Sequence, residues 1–184
     1  MEKSFIFSGF GGQGALFAGQ LLAYAAMDAG KHVTWIPSYG PEMRGGTAHC
    51  TVIIGDTPIG SPLVRHPDAV VAMNLPSADK YKSIVAEGGL LVVNTSLVTH
   101  PIQRPDIHLI GVPANAMAEK LGNVRLANVV LLGALVEATQ ILPLPAVEAA
   151  LRAHLPKRHM KLLDANLKAL AEGAVFGVIL EPQS

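Results

Sequence analysis

The apolar run Phe5-Ile6-Phe7-Ser8 leads directly into Gly9-Phe10-Gly11-Gly12-Gln13-Gly14, and small and apolar residues then continue without a break to Met27. This is a strand, a glycine turn and a helix, with glycines 9, 11 and 14 in the G-x-G-x-x-G spacing. Such a turn lets backbone approach a ligand and aims the free N–H groups of a helix N-terminus at an anion. It constrains the fold more than any other stretch, because it calls for an α/β sheet with ligands at the carboxyl ends of its strands.

The rest of the chain agrees. Short β-rich runs alternate with longer helical ones, predicting a Rossmann-like, open, mostly parallel sheet flanked by helices, with a helical C-terminal third. The pattern predicts strands over 4–8, 32–36, 47–54, 68–73, 90–94 and 107–112, and a short return segment over 59–64. Pro37 is read as the end of the second strand. Helices are predicted over 13–29, 76–85, 114–121 and 125–140, then from Ala146 and from Arg158. No linker, repeat or low-complexity tract divides residues 1–184, so one domain is expected.

A dinucleotide site also needs an acid at the end of the second strand, about 20 residues past the glycines. That stretch reads Lys31-His32-Val33-Thr34-Trp35-Ile36-Pro37-Ser38, and no acid occurs before Glu42. A P-loop fails too, since Ala15 and Leu16 stand where Lys and Ser/Thr would hold phosphate and magnesium. Three readings of Gly9, Gly11, Gly12, Gln13 and Gly14 stay open: an anion-accepting or partner-contacting turn, a turn that only allows close helix–sheet packing, and, least favoured by the missing acid, an NAD(P) site.

The loop Ser38-Tyr39-Gly40-Pro41-Glu42-Met43-Arg44-Gly45-Gly46 leaves the second strand at the same sheet edge, so the two loops are expected to share a rim. Tyr39, Glu42, Arg44 and His49 would bring a phenol, an acid, a guanidinium and an imidazole to it; a salt-bridged surface turn is the plainer alternative. Arg44 is expected to add a charge-assisted contact to an anion at the helix N-terminus, with Glu42 fixing its direction.

Composition narrows the partners. Only 15% of the 184 residues are charged and the formal net charge is zero, which favours neither nucleic acid nor an anionic membrane. So little charge on an average domain surface suggests that part of it is buried against other subunits. The apolar run 129–136 is far short of a bilayer span of about 20 residues, and the N-terminus has no signal-peptide architecture, so a cytoplasmic location is expected. Cys50, the single cysteine, excludes an internal disulfide and an Fe–S cluster held by this chain alone. It falls on an Ala/Val/Ile face and reads as a buried small side chain. The seven histidines show no metal-binding spacing. Lys157, Arg158, His159 and Lys161 form a basic cluster, read as a solvated helix start or a contact for an anion or acidic partner.

With both loops in view, the chain resembles the gamma subunit of the 2-oxoacid:ferredoxin (acceptor) oxidoreductases, in particular the small separate gamma chains of the 2-oxoglutarate and branched-chain types. The two loops carry the resemblance, along with Leu121-Gly122-Asn123-Val124-Arg125-Leu126-Ala127-Asn128, Leu132-Gly133-Ala134, Asp164-Ala165-Asn166, Ala169 and Gly173. It implies a complex that converts a 2-oxoacid plus coenzyme A to acyl-CoA and CO2 and reduces ferredoxin. Thiamine diphosphate, magnesium and Fe–S clusters would sit on alpha, beta and ferredoxin-like delta subunits. It further implies that this chain is architectural, with no catalytic or metal-binding residue. Gly9, Gly11, Gly12, Gln13, Gly14, Tyr39, Gly40, Glu42, Arg44, Gly45 and Gly46 would form a rim facing a partner or coenzyme A. An NAD(P)-binding dehydrogenase domain and a pure scaffold are the alternatives.

Overall fold

A computed structural model describes residues 1–39 and 47–178, the side chain of Tyr39 excepted. Six strands form one mixed sheet in the order β2-β3-β1-β4-β5-β6. They are β1 (Glu2–Phe10), β2 (His32–Tyr39), β3 (Thr47–Gly55), β4 (Ala69–Ala72), β5 (Leu90–Asn94) and β6 (His108–Val112). The pairings β1–β4, β4–β5 and β5–β6 are parallel. β3 is antiparallel to both β1 and β2, so β2 and β3 make a hairpin with β3 lying between β2 and β1. The mostly parallel α/β sheet is present, and the helices gather in the C-terminal part.

The helix expected over 76–85 ends at Tyr81 and the one expected from Arg158 begins at Leu163, after a 3-10 turn; two further differences bear on the sheet. β2 runs through Pro37 to Tyr39, because it is an edge strand and a missing N–H there leaves no interior ladder bond unmade. No strand forms over 59–64, where Leu63 is 85% exposed. Pro62 removes a donor from that stretch, and with Pro58 just before it fixes φ, so the segment does not join a ladder.

The helices are α1 (Ala15–Asp28), α2 (Leu75–Tyr81), α3 (Ala114–Lys120), α4 (Ala127–Thr139), α5 (Leu144–His154) and α6 (Leu163–Ala174). One sheet face carries the larger core, in which Phe5, Phe7, Cys50 and Val52 pack with apolar residues of α1, α3, α4, α5 and α6. The opposite face packs Ile6, Val70, Leu91 and Val93 under Ala78 and Tyr81 of α2. α4 lies innermost, with every residue from Asn128 to Val136 buried. A helix that is apolar all round has no solvent face to offer, and α6 covers the side of α4 turned away from the sheet. No helix among the described residues is long and apolar enough to cross a membrane.

Cys50 is fully buried, as its place on β3 predicts. Burial pushes its thiol up to about 12, against smaller opposing effects from the Trp35 indole and the backbone N–H groups of Phe7 and Gly19. A raised thiol pKa means that the unfolded chain ionises first. Stability from this group is therefore full below about pH 9 and declines as pH rises toward about 12. We expect the folded chain to resist a thiol-modifying disulfide reagent at pH 8 and to react promptly in denaturant, as followed by absorbance. Prompt reaction without denaturant would contradict a sealed Cys50.

Candidate functional site

The glycine turn closes on itself. Gln13 N–H donates to the Phe10 carbonyl (3.1 Å), and Gln13 Oε1 accepts from Phe10 N–H (2.7 Å). Gly12 and Gly14 have φ of 94° and 80°, a region that L side chains enter only with strain. Gly14 is the N-cap of α1 and offers no side chain to the helix; the first turn also lacks an acid. The leading N–H groups of α1 are therefore left for an outside acceptor.

A second contact holds the turn from 114 residues away. Asn128, at the start of α4, donates from Nδ2 to the Gly14 carbonyl (3.1 Å), while its Oδ1 accepts from Val129 N–H (2.9 Å). The approach is close enough that a Cβ on Gly14 would lie 2.3 Å from Asn128 Nδ2.

The sheet changes winding direction between β1 and β4, because α1 packs on one face and α2 on the other. In doubly wound folds ligands enter the crevice at such a point. Here the crevice is bridged: Asn74, at the N-cap of α2, donates from Nδ2 to Gln13 Oε1 (2.7 Å) and accepts from Ser77 N–H (2.9 Å). The end of β2 is also one strand further from β1 than in a standard dinucleotide fold. That adds about 5 Å, so β2 lies about 10 Å from β1 at about 4.8 Å per strand.

A cleft of about 450 Å³ opens beside the turn. Gly12, Gln13 and Gly14 line it together with Arg125, Arg158 and His159, and no Asp or Glu lines it among the described residues. Arg158 Nε donates to His159 Nε2 (3.1 Å). Part of the basic cluster thus does reach the glycine turn. Arg125 and Asn128 lie in the 121–128 stretch but are absent from the predicted site residues; a lone Asn opening the apolar run 129–136 was the available signal.

Of the predicted rim, Gly9, Gly11, Gly12, Gln13 and Gly14 lie at the carboxyl end of β1. Tyr39 pairs with Ala48, which pairs with Gly9, so the backbone that leads into the second loop starts at the same edge. Gly40, Glu42, Arg44, Gly45 and Gly46 lie outside the described residues. His49 is half-buried beside the Tyr81 ring (centroids 5.8 Å apart); burial, and to a lesser degree the Lys80 charge, lowers its pKa. Among the described residues no group of three or more His, Cys, Asp or Glu side chains is placed to hold a metal ion.

Residues 4–176 match the family described as pyruvate ferredoxin/flavodoxin oxidoreductase. The chain belongs to this family. Within the pyruvate ferredoxin/flavodoxin oxidoreductase family it is 39% identical over 168 residues to the ketoisovalerate oxidoreductase subunit VorA of Methanothermobacter thermautotrophicus, covering 91% of this chain but only 35% of VorA. It is 37% identical over 176 residues to the 2-oxoglutarate synthase subunit KorC of Methanocaldococcus jannaschii, covering 94% of this chain and 92% of KorC. The crystal structure of the keto/oxoacid ferredoxin oxidoreductase gamma subunit from Geobacter sulfurreducens superposes with a TM-score of 0.85 at 32% identity, over 96% of this chain and 97% of that one. The chain thus spans about a third of VorA and nearly all of KorC, and the gamma-type resemblance read from its two loops holds.

Proposed function

We infer that this chain is the gamma subunit of a thiamine diphosphate- and Fe–S-dependent complex that oxidises a 2-oxoacid, 2-oxoglutarate before others, with coenzyme A and ferredoxin as co-substrates. Alpha, beta and ferredoxin-like delta subunits of a cytoplasmic assembly would carry thiamine diphosphate, magnesium and the clusters. The family and the full-length match to KorC support this reading. On this reading the chain is architectural and holds no reacting group.

The observation that carries a ligand role is the uncapped α1 N-terminus at a cleft that Arg125 and Arg158 also line and that no carboxylate lines among the described residues. That donor set suits the phosphates of coenzyme A. When bound, coenzyme A supplies the thiol that accepts the acyl group. Gly12 to Gly14 and Arg158 bind and orient its anionic end, with Arg44 contributing from the second loop and Glu42 directing Arg44. The remaining rim residues, Gly9, Gly11, Tyr39, Gly40, Gly45 and Gly46, complete the surface toward the partner subunits.

Calorimetry on the purified native complex tests this. Arg158→Ala and Arg44→Ala should each weaken coenzyme A binding about tenfold or more, the ~1.5–3 kcal/mol of a hydrogen bond to a charged group. Unchanged affinity in both would leave a scaffold without ligand contact. The chain alone should not turn over 2-oxoacid with a dye acceptor; turnover by it would end the architectural reading.

A further inference from the structure

The carboxamides along the carboxyl edge of the sheet cannot turn freely, and their orientation gives a second cleft its character. Asn94, at the end of β5, is 1% exposed, and its Oδ1 accepts from the backbone N–H groups of Ser96 and Ala114, both at 3.2 Å. Its Nδ2 must then face the other way, where it donates to the Met73 carbonyl (3.3 Å) and to Asn115 Oδ1 (2.8 Å). With its oxygen so engaged, Asn115 is left with the two donors of its Nδ2.

The same reasoning fixes Gln13 from the β4 side. Ser77 N–H holds Asn74 Oδ1, Asn74 Nδ2 donates to Gln13 Oε1, and the Phe10 N–H takes the same oxygen. Gln13 is left with Nε2.

Gln13, Asn115 and Arg125 line one cleft of about 210 Å³. Asn128, also on its wall, has both amide atoms engaged within the chain. Among the described residues, Gln13 Nε2, Asn115 Nδ2 and the Arg125 guanidinium have no hydrogen-bond partner, and no Asp or Glu lines the cleft. Three donor groups from three stretches of chain line one cleft, Gln13 and Asn115 half-buried and Arg125 exposed, and no described side chain accepts from them.

We propose that this cleft is a receptor for a carboxylate. One guanidinium and two planar neutral amides suit a planar monoanion with two oxygens and about four acceptor positions. The volume falls below the ~300–1,000 Å³ of sites for drug-sized ligands, so the occupant is a small organic acid or one carboxylate presented by a neighbouring subunit. The cleft shares Gly12, Gln13, Arg125 and Asn128 with the one assigned to coenzyme A, but Asn115 lines only this cleft and Arg158 only the other, so Asn115→Asp and Arg158→Ala let either reading fail alone.

The test follows the side-chain NH2 signals of Gln13 and Asn115 by nitrogen-15 NMR on the full chain during titration with succinate, succinamide or inorganic phosphate. Saturable shifts of both signals with succinate, none with succinamide, and at least tenfold weaker binding of phosphate would establish a free acid as the ligand. Asn115→Asp and Gln13→Glu keep the accepting oxygen that Asn94 or Asn74 and Phe10 need, so the fold is retained, yet each places an acceptor where a donor stood. Both should abolish the shifts. If succinate does not bind but both variants weaken assembly with the partner subunits at least tenfold, the carboxylate belongs to a partner. Equal binding of phosphate or succinamide overturns the proposal. So does the absence of any succinate effect together with unchanged assembly of the variants.

Discussion

Gly173→Ala should lower the melting temperature by roughly 10 °C, the largest effect expected of any single methyl group in this chain. A Cβ at Gly173 would lie 1.9 Å from the Val130 carbonyl oxygen, and one at Gly133 would lie 2.1 Å from that of Leu170. Both collisions are with backbone, which no rotamer change relieves. α6 would have to retreat from α4 by more than 1 Å, loosening Ala169 and Leu170 from the innermost helix. Overpacking on this scale costs about 3–4 kcal/mol, and a domain of this size loses roughly 2–4 °C per kcal/mol. Gly60→Ala is the control, since nothing lies within 4 Å of a Cβ there; it should melt within about 1 °C of the parent. If Gly173→Ala also melts there by scanning calorimetry, the close α4–α6 approach is wrong.

Gly14→Ala is the second large effect, and it acts on the site itself. Alanine must hold φ near 80° at the N-cap, at roughly 1–2 kcal/mol. Its methyl would also push Asn128 from the Gly14 carbonyl, leaving a buried amide unsatisfied at about 1–3 kcal/mol. A total near 3 kcal/mol should appear as a melting shift of about 6–12 °C. A double-mutant cycle separates the parts: in an Asn128→Ala background only the backbone strain remains, so Gly14→Ala should cost ~1–2 kcal/mol less there. A coupling near zero would show that Asn128 does not hold the turn.

The contrast between these glycines shows what the sequence disclosed. The turn at Gly9 to Gly14 was legible because its strand, glycine spacing and helix are contiguous, and local periodicity reports such units directly. β5 over 90–94 was legible for the same reason, as was the alternation that buried Cys50. The pairing of β3 with β1 was not, because an apolar pattern fixes which face of a strand is buried and leaves open which strand lies beside it. Pro37 misled as a terminator since its effect depends on β2 being an edge. Asn128 and Asn74 were missed for a related reason: each acts on the turn across more than 60 residues of chain. The amides carry no charge or motif that would mark them in isolation.

The enclosure of α4 bears on how such a chain is made. During synthesis the sheet and α1 leave the ribosome first, while α4 must wait for α6, nearly forty residues further on, before its outer side is shielded from water. Until then the nascent chain displays a continuous leucine- and valine-rich helix, the kind of surface chaperones recognise. Shortening the chain ahead of α6 should therefore abolish soluble expression outright rather than trim stability by degrees.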